Sequence, residues 1–406
     1  MMYNIQKTGK YENVVKYTED MVMFENPFSP IFGGKPGVFF GRESILKLFD
    51  HAMIDTGSED RAMFITGTRG CGKTALLEQL SMRAEAKKRV VIDLGPENMI
   101  MQLVHILAGF DEMTKTVSPQ ASLNILGFGG GVSTGSVAKT ERMGRENLQE
   151  LLLEACSNSK KGVLITVDEI QKVPIEDVSS LCNAFQMVSR KGYDIMLAVA
   201  GLPYAYSEII RHEGCTYLRR AAHVELGLFT WDEAEEAFEK AFSLVKGLMV
   251  SRELITKLNQ ASYGHPYLMQ LLGYHLVLLI NDGKTEKKHL VEEKEVEDAI
   301  ANAVYAYEQR ALNPLLDEIP NNEKTYLIKM SECLDTDRLA SSSDIARKMG
   351  VKQSNLSRAR SYLIDHGIIA APERGKVMFC IPYLADYVKK DAQVADVVEI
   401  ARQRRV

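Results

Sequence analysis

The 406-residue sequence predicts an α/β chain built on a P-loop-type parallel sheet, with a helical lid and a C-terminal winged-helix domain, and three observations carry that reading. The apolar run Ala62-Met63-Phe64-Ile65 leads through a glycine-rich stretch, Gly67 to Thr74, into helix-forming residues. A wholly apolar run, Val163 to Val167, ends in two carboxylates. Residues 341–381 read as helix, turn, helix and two strands. The length exceeds one hydrophobic core of usual size. We expect an N-terminal arm at 1–40, a nucleotide core at 41–228, a helical lid at 229–315 and the winged helix at 316–406.

The arm is turn-rich at Asn26 to Pro30 and Gly33 to Gly37, then aromatic at Phe39-Phe40. Its aromatic and proline residues either line a base-binding pocket or pack against the sheet. Next, Gly67-Thr68-Arg69-Gly70-Cys71-Gly72-Lys73-Thr74 fits G-x-x-x-x-G-K-[ST] without mismatch, and Ala75 continues into the helix. The glycines let backbone amides turn toward phosphates at a helix N-terminus. Lys73 is placed to reach the β- and γ-phosphates, and the Thr74 hydroxyl to hold Mg²⁺.

Arg89 to Asp93 and Ile100 to Leu107 continue the strand and helix alternation. Ser118 to Gly144, with Gly129-Gly130-Gly131 at its centre, reads as an inserted hairpin or surface loop. After a helix over Glu146 to Ser157 comes the buried strand ending at Asp168-Glu169. Asp168 would serve the Mg²⁺ shell and Glu169 would polarise the attacking water, the two tasks of phosphoryl transfer to water. A solvated Asp-Glu pair at a strand end is the plain alternative.

Tyr193 to Ala200 reads as another buried strand, but Ala200 and Gly201 offer no polar side chain to sense a γ-phosphate. Arg219 and Arg220 precede the strand-like Ala222 to Leu226; they are either surface arginines or guanidiniums that serve a neighbouring subunit's nucleotide. From Trp231 to Arg310 the periodicity is wholly helical. Gly264-His265-Pro266 opens one of these helices, with His265 as a nucleotide contact or a simple cap.

In the last region, Ser341 to Asp344 is expected to cap a helix over Ile345 to Met349, and Gln353 to His366 forms the second helix. Its exposed face would carry Lys352, Gln353, Ser354, Asn355, Ser357, Arg358 and Arg360, residue types that contact phosphates and base edges. Arg374 and Lys376 on the wing would reach an adjacent backbone. A closing helix is expected over Leu384 to Arg402.

Composition narrows the setting. With 46% hydrophobic and 25% charged residues the chain has a soluble, globular balance. Its net charge of −5 gives no global attraction to nucleic acid, yet residues 320–406 carry fifteen Lys and Arg against eleven Asp and Glu. Six cysteines without a C-x-x-C pair argue for a reducing, cytoplasmic setting and against structural zinc. Cys71 is either redox-sensitive or an inert filler. Residues 1–20 lack a secretory apolar core, and Tyr267 to Ile280, interrupted by Gln270 and His275, falls short of the ~20 residues a bilayer needs.

Together these motifs resemble the AAA+ ATPases with a C-terminal winged helix, in the branch of archaeal origin-recognition-type initiators and the related signal-transduction (STAND) ATPases. The resemblance covers nearly the whole chain. It rests on Phe40-Gly41-Arg42-Glu43, Gly67 to Thr74, Asp168-Glu169, Arg219-Arg220, Gly264-His265-Pro266 and the region from Pro320 onward. It implies ATP as nucleotide, with no guanine-reading N-K-x-D after Asp194, and a homo-oligomer in which Arg219 or Arg220 acts as arginine finger. Gly264-His265-Pro266 stands where other AAA+ proteins place a sensing arginine. That departure and the bare end at Ala200 imply a slow nucleotide switch. The expected function is nucleotide-dependent binding of double-stranded DNA; the alternative is a STAND-type switch whose winged helix contacts protein.

Overall fold

The computed structural model describes residues 23–31, 38–113, 147–283 and 287–392, without the side chains of 109–113. The insert predicted at Ser118 to Gly144, the turn predicted at Gly33 to Gly37 and the chain beyond residue 392 lie outside the described residues.

Apolar runs without alternation demand burial on both faces, and the sheet provides it. After α1 (Glu43–Ile54) come β1 (Ala62–Gly67), α2 (Lys73–Ala86), β2 (Val90–Leu94), α3 (Met99–Met113), α4 (residues 147–158), β3 (Val163–Val167), α5 (Ile175–Arg190), β4 (Ile195–Gly201), α6 (Pro203–Arg211) and β5 (Ala222–Leu226). The five strands are parallel in the order β2-β3-β4-β1-β5. In β1, β3 and β4 every residue is buried. One apolar cluster fills the face under α3 to α6 and a second the face under α1 and α2. This is the P-loop-type parallel sheet with helices on both faces that the sequence predicts, and it sets the ends of β1, β3 and β4 side by side.

A buried ion cluster pins the opposite edge. Asp194 accepts hydrogen bonds from Arg89 at 2.7 and 2.9 Å and pairs with Arg61, and both guanidiniums also reach backbone carbonyls of α1. Burial pushes the Asp194 carboxyl up, but the hydrogen bonds from Arg89 and Arg61 outweigh it and hold the group below its ordinary range.

The lid comprises α7 (Trp231–Ser243), α8 (Arg252–Ser262), α9 (Pro266–Asp282) and α10 (Glu293–Tyr307). It is not wholly helical as the periodicity predicts: β6 (Leu248–Met249) and β7 (His289–Leu290) form a short parallel pair, too brief to show in a window of helical length. At Asn313-Pro314 the helical path does not turn. A π-helical stretch, Glu308–Leu312, passes into α11 (Asn313–Glu318), because proline fits the first turn of a helix.

The winged helix follows as α12 (Asn321–Ser331), β8 (Ala340–Ser341), α13 (Ser342–Met349), α14 (Ser357–Asp365), β9 (Ile369–Ala370), β10 (Lys376–Phe379) and α15 (residues 384–392), with an antiparallel sheet ordered β8-β10-β9. Two local expectations are corrected. Residues Gln353–Leu356 form a 3₁₀ turn rather than the start of α14, which lets Leu356 bury. The Ser341 hydroxyl accepts no backbone amide of α13 and instead pairs with the hydroxyl of Ser343.

Lid and winged helix share one apolar cluster across residues 312–319. The arm joins it too. Phe28 packs at a tilt against Phe238 and Phe242, and a Cβ on Gly273 would stand 2.3 Å from its ring. A mid-helix glycine costs about 1 kcal/mol, less than the ~1.5–3 kcal/mol from burying a phenylalanine. The arm residues 23–31 therefore belong to the lid, where Asn281 holds both backbone groups of Phe24.

Candidate nucleotide site

Between β1 and α2 the chain makes its phosphate cradle. Gly70 and Gly72 have φ +76° and +96°, a left-handed conformation that turns the amides of this loop toward one side. Lys73, 6% exposed, donates from Nζ to the carbonyls of Gly67 and Thr68 at 2.9 and 3.0 Å. Cys71 is buried, and burial raises its thiol despite the opposing charge of Lys73. Between its two sequence readings, the inert one fits this environment, because reactivity needs thiolate.

The Thr74 hydroxyl donates to Asp168 Oδ2 at 2.6 Å, so the two residues expected to share Mg²⁺ already meet. Asp168 in turn accepts the Glu169 amide at 2.8 Å. Glu169 adopts φ 52°, an unusual conformation for a non-glycine residue, at a cost of about 1–3 kcal/mol. Its carboxylate accepts from Gln171 Nε2 at 2.7 Å and lies 3.4 Å from Lys172 Nζ.

His265 closes the other side. Its Nδ1 accepts from the Leu268 amide at 3.4 Å, capping α9, so Nε2 carries the proton and donates to the Arg69 carbonyl at 3.1 Å. The Tyr267 amide donates to the Gly70 carbonyl at 3.3 Å. His265 is thus both cap and cradle contact; it is 2% exposed, and burial lowers its pKa to about 4.

A cavity of about 680 Å³ gathers these groups: Arg69, Gly70, Cys71, Gly72, Lys73, Thr74 and Ala75 on one wall, Asp168 and Glu169 on another, and His265 and Pro266 under the lid. Three predicted nucleotide residues lie outside the lining. Gly67 and Thr68 turn their carbonyls to Lys73, and Gly264 packs behind the site on Phe229, whose amide it accepts at 2.8 Å. Of the arm, Ser29, Ile31, Val38, Phe39 and Phe40 line the cavity, whereas Phe28 does not. Arg42, seated 4.7 Å over the Phe229 ring, also lines it.

Arg310 was not among the expected site residues. It comes from the π-helical stretch and lines the cavity, so the lid does supply an arginine, though not near Gly264. Such stretches often mark functional positions, but no spacing rule in sequence locates them. Arg69 pairs with Glu318 of α11, which also lines the cavity.

Arg219 and Arg220 are exposed, at the end of the 3₁₀ stretch Glu213–Arg220, and neither lines the cavity. In the winged helix, Lys352, Gln353, Ser354, Asn355, Ser357, Arg358 and Arg374 are exposed and Lys376 is half-buried, 3.4 Å from Asp335. Arg360 departs from the expected face. It follows the buried Ala359 by one position and precedes Leu363 by three, so helical geometry turns it inward toward Tyr326.

The other end of α14 meets the nucleotide core. His366 stacks on Tyr204 of α6 at 4.5 Å and on Tyr362 at 3.9 Å, and a Cβ on Gly367 would stand 2.7 Å from Thr68 Cγ2. Tyr383 donates to the Ala261 carbonyl at 2.8 Å.

Comparisons with known proteins agree with this layout. Residues 38–197 match the model of the AAA ATPase domain, and residues 309–388 that of a domain of unknown function (DUF8462). No curated protein matches the chain. Among solved structures, the Aeropyrum pernix ORC2 protein in its ADPNP-ADP complexes is 15% identical with a TM-score of 0.58, covering 88% of this chain and 93% of that one. Its ADP form gives 15% and 0.52, covering 92% and 99%. Cdc6p from Pyrobaculum aerophilum is 14% identical with a TM-score of 0.49, covering 91% and 98%. Among the described residues no helix is long and apolar enough to cross a membrane.

Proposed function

We propose that this chain, whose residues 38–197 form an AAA ATPase domain, binds ATP with Mg²⁺, hydrolyses it slowly, and grips double-stranded DNA through its winged helix as a nucleotide-dependent homo-oligomer in the cytoplasm. The observation that carries this reading is the convergence of Lys73, the Thr74–Asp168 pair, Glu169 and His265 on one cavity, with the winged helix seated on the same loop at Thr68.

Triphosphate oxygens would be held by the loop amides and by Lys73, whose ammonium would exchange two neutral carbonyl partners for an anionic one. Thr74 and Asp168 would hold Mg²⁺, which when bound neutralises charge on the phosphates. Glu169 would orient and deprotonate the attacking water. Arg219 and Arg220 lie off the cavity, so if either acts as an arginine finger it would do so on a neighbouring subunit's nucleotide, while Lys73 and Arg310 are the cations that this chain turns into its own site. In the relative crystallised with ADPNP and ADP, nucleotide occupies a fold like this one, which supports the assignment of an adenine nucleotide.

For DNA, Lys352, Ser354, Asn355 and Arg358 form an exposed polar and cationic edge. The test is a salt-dependent titration of duplex DNA against wild type and Lys352→Ala with Arg358→Ala. Loss of two phosphate contacts should flatten the log–log salt slope by about 2. No detectable affinity at low salt, or an unchanged slope, would sink the DNA reading.

A second reading has its own observation. The stack of His366 on Tyr204 engages the winged helix with its own ATPase core, as a STAND-type regulatory switch contacting protein would require. That reading expects ADP retained through purification and no duplex affinity.

A further inference from the structure

The end of β4 carries no polar side chain, and the structure gives a reason. A Cβ on Gly201 would stand 2.8 Å from Gln171 Oε1 and 2.7 Å from Ile170 Cγ2, so this strand must end in glycine where Gln171 crosses it. Gln171 Oε1 accepts from the Leu202 amide at 3.1 Å. An amide N–H can only donate, so the oxygen of Gln171 faces Leu202 and its Nε2 faces Glu169 Oε2 at 2.7 Å. The two bonds are possible because β3 and β4 are neighbours in register, Val167 opposite Val199, which carries residues 168–171 past residues 200–202.

We propose that Gln171 is the positioning residue for Glu169, supplying from the β3 side the polar contact that β4 lacks. The proposal rests on the reading of Glu169 as the water-activating carboxylate. Gln171 fixes the carboxylate by a short, charge-assisted bond and is itself fixed by the backbone of Leu202, so Glu169 is registered to the end of β4. Lys172 is a weaker anchor: its side chain is 60% exposed and its ammonium 3.4 Å away. The bare Ala200-Gly201 end is then no evidence for a missing polar contact at the site.

The test uses the full chain and three variants: Gln171→Ala, Gln171→Glu, and Glu169→Gln as the control for the underlying reading. ATP affinity, single-turnover hydrolysis and thermal midpoint are measured for each. We expect Gln171→Ala to lower the hydrolytic rate about 10- to 100-fold with ATP affinity close to wild type. Gln171→Glu keeps an acceptor for Leu202 but sets a second carboxylate beside Glu169, whose repulsion pushes Glu169 out of position, so this variant too loses rate about 10- to 100-fold while ATP affinity is kept. A role in folding alone would shift the midpoint and leave the single-turnover rate of the folded protein in place. If Glu169→Gln abolishes turnover while both Gln171 variants keep the wild-type rate, the positioning role is refuted. Should Gln171→Ala lose ATP affinity and stability in step with rate, it is refuted as well. If Glu169→Gln hydrolyses ATP at the wild-type rate, the reading of Glu169 fails first and the proposal falls with it.

Discussion

Acidification should loosen the lid from the cradle through one imidazole. In the native protein His265 caps α9 with an unprotonated Nδ1 and donates from Nε2 to the Arg69 carbonyl, and burial lowers its pKa from 6.5 to about 4. Protonation would place a hydrogen on Nδ1, facing the Leu268 amide as donor against donor, and would bury a charge without a carboxylate partner. As pH falls the unfolded chain takes the proton first. The stabilisation is therefore complete above about pH 6.5 and is lost as pH approaches about 4. At 1.36 kcal/mol per pH unit the whole effect is about 3 kcal/mol, of which about 2 kcal/mol disappears between about pH 7.5 and about pH 5. Burial also lowers the pKa values of His223 and His275, so the pH dependence of wild type alone would not isolate His265. The comparison is with His265→Asn, which retains capping chemistry, lacks the titrating ring and is too short to span to Arg69. Denaturant unfolding of both proteins at the two pH values should show the variant losing about 2 kcal/mol less than wild type. Equal losses, or a His265 ring that titrates near 6.5 by NMR, would refute the reasoning.

Two further outcomes follow from packing. Asp194→Asn should lower unfolding free energy by about 3 kcal/mol at neutral pH, measured by denaturant titration, because Arg61 and Arg89 stay buried beside a neutral amide. With its native pKa below that of the unfolded chain, Asp194 contributes this stability above about pH 4 and loses it as pH falls through the native pKa, so variant and wild type should converge in acid. Gly367→Val combines a φ of +67° with a Cβ 2.7 Å from Thr68 Cγ2. It should weaken seating of the winged helix by about 1–2 kcal/mol, read as faster amide exchange over 357–366, with Gly350→Ala, whose Cβ meets nothing, as the comparison for backbone strain alone.

The cradle and the Asp168-Glu169 strand end were legible because their chemistry depends on near neighbours in sequence: a turn needs its glycines, and a doubly buried strand needs an unbroken apolar run. What escaped sequence reading depends on distant partners. Gln171 looks like an ordinary loop amide until Leu202 is set beside it by strand register. Phe24 and the Asn281 that anchors it stand 257 positions apart, so nothing local in the sequence tells that residues 23–31 pack on the lid. Arg310 enters the cavity by way of a π-helical stretch, which has no signature in apolar spacing. Arg360 was misplaced for a subtler reason. A helix flank and a helix face differ by one position, and only the packing of Ala359 and Leu363 decides which side is inward.

The loop that holds Lys73 is also where the other parts of the molecule attach. The lid reaches the carbonyls of Arg69 and Gly70, α11 reaches the Arg69 guanidinium through Glu318, and the winged helix rests on Thr68 through Gly367. A bound anion can shift this assembly only by favouring one arrangement of those contacts over another. Drawing Lys73 off the Gly67 and Thr68 carbonyls would be such a bias, since Thr68 also meets Gly367 at the end of α14. On the proposed function, helix α14 would carry that bias to the DNA-facing edge. Its nine residues span about 13 Å, with the docked His366 just past one end and the exposed Arg358 near the other. On the same reading, a tilt at the docked end would displace the exposed end, which is the route by which a change of partners in the cradle would reach the polar edge.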